Sequence, residues 1–443
     1  MQLPIQNQPQ VQPQVQPQVQ PPMQSTSIYE EYQDPELEVL EEQHQIELLM
    51  QGKTTCSIKS RNTTPNKGQG MESRVEIKSE LTENQQIISN ILTQIPHHYK
   101  YFQTVDRIDP LEINSIQEDE LEDCTEYPTK SIIEPTQTQR TQTHPEFVSI
   151  RFRKFPHTWK SFLLEQTSKN KNSPTNTSTS ISSTSTTPTT PTYVSIFFES
   201  SLQMIHLLEK MQSVQIVHFD IHEDSVFYNE TQGCPVFSSF GMSFQWTQLD
   251  AGFETIFRSY ENYRPWPIEI AFLAQIASRK RENPIRWKEE EWTRQEIREI
   301  CDRFVQHPES IFRKYTFRQS ISHAPLTQNQ TSSSSTLVES REQFVNQLEE
   351  YFANKYENQP VEKMYQDLTQ VSIVKTWDLY AVAILLLNTE TNMELLENQL
   401  STSTNMKYVE VLKTVIYSMP EARPSVEYIE NTMRDIFQTP NPF

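Results

Sequence analysis

The stretch Val214–Phe244 reads VQIVHFDIHEDSVFYNETQGCPVFSSFGMSF, and its punctuation decides the fold. An apolar pair, Ile216-Val217, leads into His218-Phe219-Asp220. Two short apolar runs follow, Val226-Phe227-Tyr228 and Pro235-Val236-Phe237, separated by a polar turn from Asn229 to Gly233. Runs of β-branched and aromatic residues around such a turn predict a hairpin. Ser239-Phe240-Gly241 then closes the segment. Upstream, Leu202, Ile205, Leu208 and Met211 recur at helical spacing, so a helix feeds the first apolar pair.

The rest of the composition bounds what surrounds this segment. The chain has 443 residues, of which 35% are hydrophobic. That leaves enough apolar material for one globular domain of roughly 250–300 residues, with polar segments around and inside it. The formal charge of −20 argues against a nucleic-acid binder, which needs a positive face for phosphates, and points to protein partners. Cys56, Cys124, Cys234 and Cys301 form no Cys-x-x-Cys pair, so no zinc ribbon or thioredoxin-type site is expected, and a reducing compartment suits them. The Gln- and Pro-rich start lacks the basic-then-apolar pattern of a signal peptide. The longest apolar run, Leu379–Leu387, has nine residues, too few to span a bilayer. No membrane association is expected, and the expected location is cytoplasmic, nuclear or within a virion. Six glycines occur, and none builds a G-x-G-x-x-G or Walker-type loop, the device that lets backbone N–H groups cradle phosphate.

Along the chain, PQVQ repeats three times between Pro9 and Gln20, which predicts an extended tail. A short acidic helix is expected around Glu36–Met50, and residues 53–75 read as linker. Residues 82–95 read as a helix with Ile87, Ile88, Ile91 and Leu92 on one face. Val148, Ile150 and Phe152 alternate as in a half-buried strand, and a short helix starts at Trp159. Residues 167–192 and 325–336 are polar low-complexity inserts that cannot build a core. An acidic helix is expected over Glu339–Tyr356, a fully buried helix over Trp377–Leu387, and a last helix from Ser425, started by Pro424.

Five features in this order resemble the protein kinase family over residues 202–430. His218-Phe219-Asp220 is similar to the catalytic-loop motif, with Phe in place of Arg. Ser239-Phe240-Gly241 resembles the metal-binding Asp-Phe-Gly without its acid. Arg264-Pro265-Trp266-Pro267-Ile268-Glu269 resembles the end of the activation segment, Asp378 in TWDLYAVA the Asp that opens the large helix of the C-lobe, and Arg423-Pro424 the late Arg-Pro. The resemblance implies an α+β fold: a reduced N-lobe over residues 81–155 and a mainly helical C-lobe over 156–437, preceded by a tail over 1–80. It also implies a buried ion pair between Glu269 and Arg423, and a structural role for His218. The inserts and the poor N-lobe look like the divergent kinase-like proteins of large DNA viruses.

Phosphoryl transfer needs positioning, a metal and a base. By the resemblance, Asp220 stands at the base position. His222 stands where a Lys would neutralise the γ-phosphate, Ser225 where an Asn would ligate metal, and Ser239 where an Asp would do so. A serine hydroxyl holds Mg²⁺ weakly, so ATP and Mg²⁺ are the implied cofactors of a degraded site. Lys130 and Lys154 are candidate nucleotide cations without the expected flanks. Asp224 is one residue from the lost Asn and would need a backbone slip to replace it. The expected function is a pseudokinase that binds or scaffolds proteins. The alternative is a divergent Ser/Thr kinase with a non-standard metal site.

Other patterns have competing readings. His218, Asp220 and His222 would share a face if the segment were a strand, as in a metal site; against this stands a loop-anchoring His218 and a solvated His222. The charged run Lys288–Arg303 reads either as a docking helix or as a solvated face with ion pairs. Trp246, Trp266 and Trp292 mark either a surface or the core, and core packing is expected for Trp266. The Ser/Thr tract reads as a phosphorylation target or an inert linker.

Overall fold

The computed structural model describes residues 56–58, 70–111, 121–122, 147–171, 193–257, 265–307, 310–314, 341–393 and 402–437. The repeat tail, the helix expected around Glu36–Met50, most of the Ser/Thr tract, the 325–336 insert, Cys124, Lys130 and Arg264 lie outside the described residues. All described residues fall in one unit, Leu48–Phe443.

The first part is a five-stranded antiparallel sheet carrying one helix. Its strands are β1 (Cys56–Ile58), β2 (Met71–Ile77), β3 (Val105–Leu111), β4 (Leu121–Glu122) and β5 (Phe147–Arg153), in the spatial order β3-β5-β2-β1-β4. The strands Cys56–Ile58 and Met71–Ile77 fall within the linker expected over 53–75 and the end of the tail expected over 1–80, and correct both there; residues 1–55 and 59–69 lie outside the described residues. Met71–Ile77 pairs along its whole length with Phe147–Arg153, so that Glu72, Arg74 and Glu76 lie directly opposite Phe152, Ile150 and Val148. Opposed residues share a face. The charged triplet therefore lines the same side as the apolar cluster of Val105, Val148, Ile150 and Phe152. Such inward charges mask the strand signal in the sequence. Glu72 and Arg74 form an ion pair at 3.4 Å. The Arg74 guanidinium lies 4.7 Å over the Phe152 ring, a cation–π contact. Burial raises the pKa of Glu76, and the Arg74 charge lowers it in part.

Helix α1 (Glu80–Leu92) follows directly, started by a reciprocal capping box between Ser79 and Thr82. Ile88 and Leu92 are buried as expected, whereas Ile87 is 56% exposed, because the apolar stripe turns away from it. The Ser89 hydroxyl accepts from the Val105 N–H and ties the helix to the sheet.

Helices dominate the remainder. They are α2 (Trp159–Lys171), α3 (Tyr193–Ser213), α4 (Leu249–Phe257), α5 (Ile268–Glu282), α6 (Arg294–Gln306), α7 (Ile311–Lys314) and α8 (Arg341–Tyr356). There follow α9 (Val361–Leu368), α10 (Val371–Val374), α11 (Trp377–Met393), α12 (Thr402–Tyr417) and α13 (Val426–Phe437). The helix that begins at Trp159 runs to Lys171, so the first residues of the expected insert at 167 are helical. The mixed α/β class is as expected, with helices prevailing and the sheets small.

Between α3 and α4 the opening stretch folds as a short strand pair, β6 (Ile216–Val217) with β9 (Phe244–Gln245), around the hairpin β7 (Val226–Asn229) and β8 (Cys234–Phe237). Gly233 takes φ +64 at the hairpin turn, a conformation that costs glycine little. One core unites α3, α11, α12 and α13 through Met204, Leu208, Val382, Leu386, Tyr408, Leu412 and Met433. Val371–Thr389 is long and apolar enough to cross a membrane by composition, but 78% of that window is buried inside the fold. Core packing accounts for its apolarity. The charged run on α6 turns to its neighbour: Arg294 and Arg298 each reach Glu349 of α8 at 2.7 Å.

Candidate functional site

The loop after β6 is held from below by one carboxylate. Asp378, in the first turn of α11, accepts the His218 N–H at 2.6 Å on Oδ2 and the Phe219 N–H at 2.9 Å on Oδ1. Asp378 is 6% exposed. Burial pushes its pKa up to about 6, and the two N–H bonds act against that rise. A carboxylate suits this position because two convergent backbone donors need two acceptor oxygens.

The bracing lets Phe219 sit at φ +65, a left-handed conformation uncommon for a bulky side chain. The Trp266 indole N–H donates to the Phe219 carbonyl at 2.6 Å. The two rings stack at 4.7 Å between centroids, and Phe244, Phe257 and Trp377 close around Phe219. Trp266 is thus a core residue, as expected. Its hydrogen bond to the loop had no signal in the sequence.

His218 is fully buried and makes two bonds that fix its tautomer. Its Nδ1 accepts the Asp220 N–H at 3.2 Å, so Nε2 carries the proton and donates to the Ser238 carbonyl at 2.8 Å. Burial drives its pKa down to about 4, with Asp220 pulling the other way, and the ring stays neutral near pH 7. The ring packs against Phe240 at 4.7 Å and Phe237 at 5.8 Å, and Phe240 reaches Phe102 at 6.1 Å. His218 therefore joins the two loops and is spent on structure. The strand reading of His218, Asp220 and His222 fails, since these residues form a loop.

The remaining side chains are the candidates for chemistry. Asp220 is 8% exposed, with His222 Nε2 at 3.7 Å from its carboxylate. His222 is committed on its other side, where Nδ1 accepts the Asp224 N–H at 3.3 Å. Ser225 is buried, and its hydroxyl accepts from the His222 N–H at 2.8 Å and donates to the His222 carbonyl at 3.0 Å. The Asp224 side chain is 89% exposed. Glu223 forms an ion pair with Lys160 on α2. Ser239 takes φ +64, and its hydroxyl lies 3.4 Å from that of Ser238, which donates to the Ser225 carbonyl at 3.0 Å.

Two anchors complete the frame. Asn84 of α1 donates to the carbonyls of Gly241 and Ser243, both at 2.7 Å. A Cβ at Gly241 would stand 3.3 Å from the Leu81 carbonyl, so glycine permits the close approach of α1. Asn84 was not singled out by sequence reasoning, although its spacing from Leu81 and Ile88 places the three on one helical face. Farther off, Arg423 grips Glu269 with two bonds at 2.7 and 3.1 Å, and a third at 2.9 Å goes to Thr376. The two charged side chains are 1% and 0% exposed. The ion pair expected from the sequence is therefore present.

The loop thus presents one buried carboxylate, Asp220, and hydroxyls that are largely engaged with backbone. Lys154, a candidate cation, is exposed on the strand-end side of β5. No model of a known protein family matches the chain. A search of curated proteins finds no match.

Proposed function

We propose that this chain is a protein kinase-like protein that has lost most of its phosphate chemistry and acts as a pseudokinase, a module that binds or scaffolds other proteins. The observation that carries the reading is the state of Ser225. In the family, the corresponding residue is an Asn that ligates metal. Here the hydroxyl is buried and closes a local turn with both backbone groups of His222. A second metal-ligand position is Ser239, which offers a neutral hydroxyl. Mg²⁺ favours carboxylate and phosphate oxygens in octahedral geometry, and such a pair of serines supplies little of that.

Further support comes from parts unrelated to phosphate. Asp378 braces the loop, Glu269 meets Arg423, and a small sheet with one helix precedes a helical body. These are the scaffolding features of the resemblance, kept while the chemical ones are replaced. The fold, acidic balance and partner class are part of this proposal, as is a cytoplasmic or nuclear setting.

One observation favours the second reading, a divergent Ser/Thr kinase: Asp220 is retained beside His222. Asp224, the acid that would replace the lost ligand, is 89% exposed and counts against it. A thermal-shift titration with ATP, alone and with Mg²⁺ or Mn²⁺, separates the two. The proposal expects no metal-dependent rise in melting temperature up to millimolar ATP. A metal-dependent rise would reject it in favour of the enzyme.

A further inference from the structure

Away from the loop, three metal-ligating side chains converge where the last helix meets α3. His206 and Glu209 lie one turn apart on α3, and Glu430 comes from α13, which packs along it. Their donor atoms all lie within 4.8 Å of one another. His206 Nδ1 is 3.3 Å from Glu209 Oε2 and 3.8 Å from Glu430 Oε1. Two donors bound to one tetrahedral zinc at about 2.0–2.1 Å are about 3.3 Å apart. The first pair already has that spacing, and the second needs a closure of about half an ångström.

We propose that His206, Glu209 and Glu430 form a divalent transition-metal site, suited first to Zn²⁺, that clamps α13 onto α3. One imidazole and two carboxylates are ligand types zinc accepts, and three protein ligands leave a fourth position to water. Their exposures differ in a useful way. Glu430 is 11% exposed and His206 19%, so both are positioned by packing, while Glu209 at 56% is free to swing in.

Two cations oppose the ion. Arg434 is paired with Glu430, and Lys210 neighbours His206. The Lys210 ammonium is directed to the Tyr101 ring, 5.5 Å from its centroid, rather than into the cluster. Arg434 competes for the same oxygen that would bind the metal, which weakens the site. The site would make the hold on the final helix depend on metal supply.

The test is calorimetric titration of the full chain with ZnCl₂, paired with thermal denaturation with and without the ion. The expected result is a one-to-one event that raises the melting temperature, weakened at least about tenfold in Glu430→Gln. If Glu430→Gln does not fold, Glu209→Gln, at an exposed position, carries the same expectation. Equal binding by wild type and both variants would assign the metal to other groups, Cys56 and Cys124 among them, and overturn the proposal. No binding by wild type would overturn it as well.

Discussion

Replacing Arg423 by Met keeps most of the buried stem and removes the guanidinium, leaving the Glu269 carboxylate at 0% exposure without its Arg423 partner. Two charge-assisted bonds to Glu269 and one bond to Thr376 vanish together. Bonds to charged groups contribute about 1.5–3 kcal/mol each, and breaking a buried pair by removing one partner costs about 3–5 kcal/mol. A buried carboxylate can escape by taking up a proton. For an ordinary glutamate at pH 7 that uptake costs about 3.7 kcal/mol, which sets a similar ceiling. The expected loss is therefore about 4 kcal/mol, read by urea denaturation followed through tryptophan fluorescence, since Trp159, Trp292 and Trp377 are fully buried reporters. The double variant Glu269→Met/Arg423→Met buries no charge and should recover at least about half of the loss. A single-variant cost below about 1 kcal/mol, or a double variant whose cost is the sum of the singles, would refute the reasoning.

Three other perturbations probe the loop. Asn84→Ala removes both bonds from α1 to the Gly241 and Ser243 carbonyls and should cost about 1–2 kcal/mol, with faster amide exchange in α1; unchanged exchange would show that the helix is held by packing alone. Phe219→Arg would place a charge among Trp266, Phe244, Phe257 and Trp377 and should destabilise by several kcal/mol; a variant as stable as wild type would mean that the aromatic cluster opens readily. The pH dependence has two opposed parts. His218, at about 4 against an ordinary 6.5, contributes stability above pH 6.5 that is lost as pH falls through 4. Asp378, at about 6 against 3.8, contributes stability below pH 3.8 that is lost as pH rises through 6. Between pH 4 and 6 they nearly cancel, each worth at most roughly 3 kcal/mol. Asp378→Asn is neutral at every pH, so it removes the part that opposes His218 and should lose stability on acidification more steeply than wild type. Urea midpoints across pH 4–7 check this, and parallel curves would reject the assignment.

Much of this was legible because it depends on local pattern. The hairpin followed from a turn between two apolar runs, the buried α11 from an unbroken apolar segment, and the Glu269–Arg423 pair from the family resemblance. The strand Met71–Ile77 was not legible. Its inward residues are Glu72, Arg74 and Glu76, and an inward ionic row inverts the alternation by which strands are recognised. Only the register with β5, a long-range fact, makes it a strand. Asn84 and the Trp266 indole bond were hidden for a related reason. Each is a polar contact between elements distant in sequence, and nothing local distinguishes such a residue from a solvated one. Ser225 is the intermediate case: the family resemblance implied a missing metal ligand there, but its capture by the His222 backbone depends on the folded turn.

Phe219 also bears on how the loop responds to its surroundings. The loop's order rests on ring packing and on a carboxylate receiving backbone N–H groups, with no side-chain cation at that position. Salt screens exposed charges but leaves apolar contacts intact, and excluded salts such as sulfate strengthen burial. The clasp around Phe219 should therefore hold across ionic strengths and ignore the arrival of a phosphate nearby, which makes the loop a constitutive fixture.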